Sequence, residues 1–98
     1  MFELRKTDIF GHWLDTLKDI KGRARILARL DRLADGNPGD TKRVGAGVSE
    51  LRINFGPGYR VYYTKRGRTI VILLCGGDKG TQQKDIERAT RLAQDLPE

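Results

Sequence analysis

The spacing of apolar and polar positions changes period several times along the chain, and each change predicts an element. Phe2 to Lys6 alternates as Phe-Glu-Leu-Arg-Lys and predicts a short first strand. Thr7 or Asp8 is a suitable N-cap for the helix that follows, in which Ile9, Trp13, Leu14 and Leu17 recur at helical spacing through about Lys18. From Lys21 to Ala34 a second helix is expected, with Ala24, Leu27, Leu30, Leu33 and Ala34 on its inner face. The run Asp35-Gly36-Asn37-Pro38-Gly39 stops it with breaker residues. The two helices read as an αα-hairpin hinged near Asp19 to Gly22.

From Asp40 to Gly47 the pattern predicts an exposed loop with room for a short strand. Val48 to Phe55 then alternates, with Leu51, Ile53 and Phe55 on one face and Glu50, Arg52 and Asn54 on the other. Gly56-Pro57-Gly58 is a tight turn, Tyr59 to Thr64 the returning strand, and Lys65 to Arg68 a second turn. Thr69 to Cys75 is apolar on both faces, which predicts a central strand covered on both sides. Gly76 to Gly80 reads as a loop. Thr81 is the expected N-cap of a last helix, about Gln82 to Asp95, whose apolar side is Ile86, Ala89, Leu92, Ala93 and Leu96. The order β, αα, βββ, α defines an α+β fold, and 98 residues suffice for one domain, 1–98, with a small core and a compact two-layer build.

Charge changes the picture next. Nineteen Lys and Arg face thirteen Asp and Glu, a formal net charge of +6, and that balance favours nucleic acid or ribonucleoprotein as partner. Cys75 is the only cysteine and lies in an apolar run, so it reads as a core residue of a reducing compartment rather than a nucleophile. One cysteine and one histidine offer no metal cluster, and neither metal nor cofactor is expected. The segment MFELRKTD has charge but no apolar run behind it, and the longest apolar run, Ile70 to Cys75, is far short of the ~20 residues a membrane span needs. A cytoplasmic protein without a membrane partner is therefore expected.

The candidate chemistry is cationic. If Gly56 to Gly58 forms a three-residue hairpin loop, Phe55 pairs with Tyr59, Asn54 faces Arg60 and Arg52 faces Tyr62. Arg52 and Arg60 are then diagonal neighbours on one face, and an anion between them would relieve their repulsion. Lys79 follows the central strand in a glycine-flanked turn, read either as a solvated lysine or as part of an N–H concavity that favours anions. Tyr59 and Tyr63 point to the core. Tyr62 shares the arginine face, where it either stacks on a base or packs under the last helix. Arg25, Arg29 and Arg32 form an i, i+4, i+7 stripe on the second helix, either a solvated face or a surface for RNA phosphates. His12 is read as structural or merely exposed.

Taken together, certain blocks resemble a known family. They are Phe10-x-x-Trp13-Leu14-x-x-Leu17-x-Asp19, Gly36-Asn37, Gly47-Val48-x-Glu50-Leu51-Arg52-Ile53, Gly56-Pro57-Gly58-Tyr59-Arg60-Val61-Tyr62-Tyr63, and Gly76-Gly77-Asp78-Lys79-x-x-Gln82-x-x-Asp85-Ile86. In these blocks the chain is similar to type II toxins of the RelE/ParE superfamily, and more closely to the phage-derived, HigB-like branch of addiction-module killer proteins. The resemblance spans nearly the whole chain. It implies a RelE-like fold: a twisted antiparallel β-sheet with an N-terminal αα-hairpin and a C-terminal helix packed on it. It also implies a ribosome-dependent mRNA endonuclease held silent by a cognate antitoxin protein, in which a ribose 2′-OH attacks the adjacent phosphate. Carried over by position, Arg52, Arg60 and Lys79 are the active-site cations, with Arg60 the phosphate stabiliser. The stripe Arg25, Arg29 and Arg32, the loop cations Lys65, Arg66 and Arg68, and Tyr62 are the expected contacts to RNA and ribosome.

Some relatives use a histidine or a C-terminal tyrosine as acid or base. This chain has no histidine after His12 and no tyrosine after Tyr63, which leaves Lys79, a tyrosine of the second hairpin strand, or Asp85. Two other functions fit the same superfamily: a ParE-like inhibitor that binds DNA gyrase, and a catalytically inactive interaction module.

Overall fold

A computed structural model describes residues 1–97 of the 98. The elements run β1 (Glu3–Lys6), α1 (Asp8–Thr16), α2 (Ile20–Ala34), β2 (Thr41–Gly45), β3 (Val48–Ile53), β4 (Tyr59–Arg66), β5 (Ile70–Asp78), a 3-10 turn (Lys79–Thr81) and α3 (Gln82–Asp95). The strands form one sheet in the order β1-β5-β4-β3-β2. Every pairing is antiparallel except the edge pair β1 and β5, which is parallel. The α+β, RelE-like architecture is thus present, with one parallel edge on an otherwise antiparallel sheet.

Helices cover both faces, so the molecule has three layers where two were expected. On one face Phe10 and Leu14 of α1 and Ile26, Leu30 and Leu33 of α2 pack on Leu51, Ile53, Val61, Tyr63, Val71 and Leu73. On the other, Ala89 and Ala93 of α3 close over Val48, Tyr62, Leu74 and Cys75. The third layer is possible because α3 presents alanines, which let its backbone lie close to the sheet. β5 is covered on both sides, as its composition predicts, although the middle strand is β4.

The hairpin of helices is tighter than its periodicity suggests. Thr16 Oγ1 donates back to the His12 carbonyl at 2.8 Å and α1 ends there, two residues before Lys18, with Leu17 already extended. Asp19 then caps α2 by accepting from the Gly22 N–H at 2.9 Å. The inner face of α2 is rotated from the one expected. Ile26 is fully buried, while Leu27 is 46% exposed and Ala24 lies in solvent. Both faces carry apolar residues at helical spacing, and the approach of Gly22 to Tyr59 and Asp19 selects between them.

Residues 41–45 form the short strand for which the sequence left room, held by Thr41 Oγ1, which donates to the Glu50 carbonyl at 3.0 Å. The strands depart from expectation in two places. The β3–β4 connection is five residues, 54–58, because Ile53 and not Phe55 pairs with Tyr59. Gly56 and Gly58, both at positive φ, carry the wider turn. The two-residue slip preserves the pleat, so every side chain keeps its expected face. Finally, β5 continues through Gly76 and Gly77 to Asp78. A Cβ at Gly76 would overlap the Trp13 ring, and one at Gly77 the Asp85 carboxylate. These glycines therefore permit close packing within a strand rather than marking a loop.

Candidate functional site

On the α3 side of the hairpin, β3 presents Glu50 and Arg52 and β4 presents Arg60 and Tyr62. The register sets Arg52 directly opposite Arg60, and Glu50 directly opposite Tyr62. The two arginines are thus closer partners than the diagonal neighbours expected. Like charges facing each other across a ladder are unfavourable, and Glu50 offsets this from beneath.

Glu50 is fully buried. Its Oε1 accepts from Arg52 Nε at 2.9 Å and lies 3.8 Å from Arg60 Nε. Its Oε2 accepts from the Tyr62 hydroxyl at 3.0 Å and from Gln82 Nε2 at 2.8 Å. Burial raises the Glu50 pKa, but the hydrogen bonds from Arg52, Gln82 and Tyr62 outweigh it, and the carboxyl is held below its ordinary value. The same hydrogen bond to Glu50 is the main reason that Arg52 is held more firmly protonated. A carboxylate therefore orients Arg52 by a hydrogen bond from below the sheet surface and faces Arg60 as a longer ion pair.

Arg60 is almost enclosed, with 12% of its side chain exposed, and Arg52 is more open at 33%. Arg60 Nη1 donates to the carbonyls of Gly58 and Tyr59 at 3.1 and 3.3 Å, whereas its buried Nε has no hydrogen-bond acceptor among the described residues. Gly58, at φ +79°, passes beside both Lys79 and Arg60. A Cβ there would stand 3.4 Å from Lys79 Cβ and 3.5 Å from Arg60 Nη1. Arg52, Arg60 and Lys79 line one cavity of about 390 Å³, with Asp40, Asn54 and the turn at residues 56–58. The structure thus brings all three expected active-site cations together, and the volume suits a nucleotide-sized anion.

The N–H concavity considered around Lys79 is already filled. Gly80 N donates to Asp78 Oδ1 at 2.7 Å, and Asp78 N to Thr81 Oγ1 at 3.3 Å. Lys79 lines the cavity beside Gly58. Tyr62 cannot stack on a base: it is fully buried beneath α3, and its hydroxyl is engaged by Glu50.

The α2 stripe divides by role. Arg29 is a clamp: it donates to the Arg52 carbonyl at 2.5 Å, to Pro38 O at 2.8 Å and to Asp40 O at 3.2 Å. Arg25 lies 4.9 Å over the Phe55 ring, and Arg32 is exposed. None of the three lines the cavity, although Arg29 touches the backbone of Asp40 and Arg52, which do. The loop cations are farther off, since Lys65 and Arg66 end the strand near whose start Arg60 lies, roughly 20 Å away at ~3.3 Å per residue. Lys65 lies 5.0 Å over Phe2, Arg66 donates to Ala93 O at 3.0 Å, and Arg68 is exposed. His12 is exposed beside Trp13, in a separate recess between α1 and α3.

The remaining proton-transfer candidates separate by environment. The Tyr59 hydroxyl donates to Asp19 Oδ2 at 2.7 Å, and burial, with that carboxylate, pushes its pKa to about 12. Tyr63 is tied to Thr41 at 2.9 Å. Asp85 accepts from Thr81 Oγ1, lies over Gly77, and does not line the cavity. Burial likewise pushes the Cys75 thiol up to about 12, consistent with a core residue. Lys79 is the one of these candidates that reaches the cavity. Two residues that sequence reasoning did not assign to the site belong to its architecture: Gln82, the first residue of α3, and Asp40. Glu50 was legible as a neighbour of the arginines, and its full burial was not.

The five-stranded sheet with helices on both faces is an α+β, RelE-like fold. Residues 12–96 match the phage-derived, Gp49-like protein family (DUF891), and the chain belongs to that family, which is of the RelE/HigB-like toxin type. It is also 51% identical over 94 residues to an uncharacterized protein of Haemophilus influenzae, covering 96% of this chain and 95% of that one. Among the described residues no helix is long and apolar enough to cross a membrane.

Proposed function

We propose that the cavity is the catalytic site of a ribosome-dependent mRNA endonuclease, the toxin of a type II toxin–antitoxin pair of the HigB-like branch. The observation that carries this reading is the meeting of Arg52, Arg60 and Lys79 in one cavity, with Glu50 fixing the arginines from below. Cleavage by 2′-OH attack passes through a phosphorane with extra negative charge. Preorganised guanidinium groups stabilise that charge more than they stabilise the ground-state diester. Arg60, nearly enclosed and held at two carbonyls, is the principal stabiliser. Arg52, the more exposed of the two, captures the phosphate. A small acidic or mixed-charge antitoxin, drawn by the +6 charge, covers this face and silences it.

The test is 5′-end mapping of mRNA in cells expressing the wild type or Arg60→Ala. Wild-type expression is expected to halt translation and create new 5′-hydroxyl ends within messages. Arg60→Ala, folded and expressed, is expected to lose about 10²–10³ in rate and to permit growth. DNA damage with intact messages would instead point to gyrase inhibition of the ParE kind. Full toxicity of Arg60→Ala would remove the arginine from its role.

A further inference from the structure

We infer that Asp40 is the general base that takes the proton from the attacking 2′-OH. The inference rests on the endonuclease reading of the cavity and supplies the group that reading lacks. Among the described residues, Asp40 is the one carboxylate-bearing residue that lines the cavity holding Arg52, Arg60 and Lys79. The other carboxylates near this face are occupied. Both oxygens of Glu50 are engaged by Arg52, Tyr62 and Gln82, Asp85 is held by Thr81, Asp78 by Gly80, and Asp19 by Gly22 and Tyr59.

Asp40 is also fixed in place by its backbone, although its side chain is exposed. Its carbonyl accepts from the Arg52 N–H at 3.0 Å and from Arg29 Nη2 at 3.2 Å. Arg29 simultaneously holds Pro38 O and Arg52 O, so one half-buried guanidinium sews the 38–40 segment to the strand that carries Arg52. That anchorage fixes where the Asp40 side chain begins relative to the arginines. The charged groups facing Asp40 among the described residues are all cationic: Arg29 from α2, Arg52 from β3, Arg60 from β4 and Lys79 from the 3-10 turn. A carboxylate placed among them is open to a hydroxyl on a substrate held by those cations.

The step balances without any other reactant. The 2′-oxygen forms a bond to phosphorus as its proton passes to the Asp40 carboxylate. The bond from phosphorus to the 5′-oxygen breaks, and that oxygen takes a proton from the Lys79 ammonium. The products are a 2′,3′-cyclic phosphate and a 5′-hydroxyl. Proton transfer from Asp40 back to Lys79 through solvent resets the site.

The experiment compares wild type, Asp40→Asn and Asp40→Glu on programmed ribosomes, over a range of pH, with binding measured on messages carrying a 2′-deoxy residue at the cleavage position. Asp40→Asn is expected to slow cleavage about 10²–10⁴-fold and to abolish the acid limb of the pH–rate profile. It should bind the 2′-deoxy message as tightly as wild type or tighter, because a negative charge beside the phosphate is gone. Asp40→Glu should recover part of the rate and the acid limb. If wild type cleaves and Asp40→Asn matches its rate and profile, Asp40 is not the base while the nuclease reading stands. A rate loss matched by an equal loss of binding would reduce Asp40 to a structural residue. If wild type leaves the message intact, the nuclease reading itself falls, and Asp40 with it.

Discussion

Without Glu50, the Arg52–Arg60 pair would put two cations opposite each other across a ladder with no counter-charge beneath them. Replacing it by Gln keeps the shape and removes the charge. Breaking a buried, hydrogen-bonded charge set in this way typically costs about 3–5 kcal/mol. The expected outcome for Glu50→Gln is a folded but weakened domain, seen as a lower denaturation midpoint, with activity reduced because both guanidinium groups lose their counter-charge. The same residue gives a pH signature. Its folded-state pKa lies below its unfolded value, so its contribution is full above about pH 4.3 and is lost as pH falls through the lower, folded value. Wild-type stability should therefore fall more steeply than that of Glu50→Gln in the acid range, and parallel acid-unfolding curves would contradict the assignment. At this scale the sequence was informative for a specific reason. Alternation assigns faces to Arg52, Arg60 and Tyr62 whatever the turn length, provided any slip is even. Cross-strand distance depends on the turn itself, so Arg52 and Arg60 were expected as diagonal neighbours when they are opposite. Whether Tyr62 met RNA or core depended on where α3 lies, which strand alternation cannot indicate.

Among the elements, α2 gives the clearest contrast between pattern and packing. Ile26 and Leu27 are adjacent, equally apolar, and differ only by one step around the helix. The periodicity that puts Leu27 inward also accommodates Ile26, and contacts from Asp19 and Tyr59 around Gly22 decide between them. Ile26→Ala is expected to cost about 2–5 kcal/mol as a buried truncation. Leu27→Ala should stay within about 0.5 kcal/mol, as surface changes do. Thermal or denaturant unfolding of the two variants measures this directly, and a larger loss for Leu27→Ala would reverse the helix's orientation. β5 teaches a related lesson. Gly76 and Gly77 carry the composition of a loop, but their lack of a Cβ is needed for contact with Trp13 on one face and Asp85 on the other. Gly76→Ala should accordingly destabilise by about 1–3 kcal/mol through overpacking. A neutral Gly76→Ala would mean that the Trp13 ring can move aside at little cost.

For the whole molecule, the question is where a +6 chain carries its charge and whether that charge serves the proposed docking to a ribosome. The cavity lies at the start of β4 and the Lys65–Arg68 turn beyond its far end, so the cations divide into those that line the cavity, the stripe on α2 and a remote set. That division is invisible to composition, because net charge has no position, and Arg29 shows that even a regular basic stripe mixes roles. Reversing Arg29 would release the 38–40 segment and confound docking with architecture. The useful comparison is therefore Arg25→Glu with Arg32→Glu against Lys65→Glu with Arg68→Glu. If both sets dock phosphates, each pair should lower the slope of log binding constant against log salt by roughly one unit for every phosphate no longer neutralised. Single-turnover cleavage at saturating ribosomes should remain near wild type, since neither pair touches the reacting phosphate. A pair that leaves the salt slope unchanged belongs to ordinary solvated surface. If the α2 pair instead abolishes cleavage while ribosome binding persists, Arg25 and Arg32 act on the message within the site, and the boundary of the catalytic surface must be extended to α2.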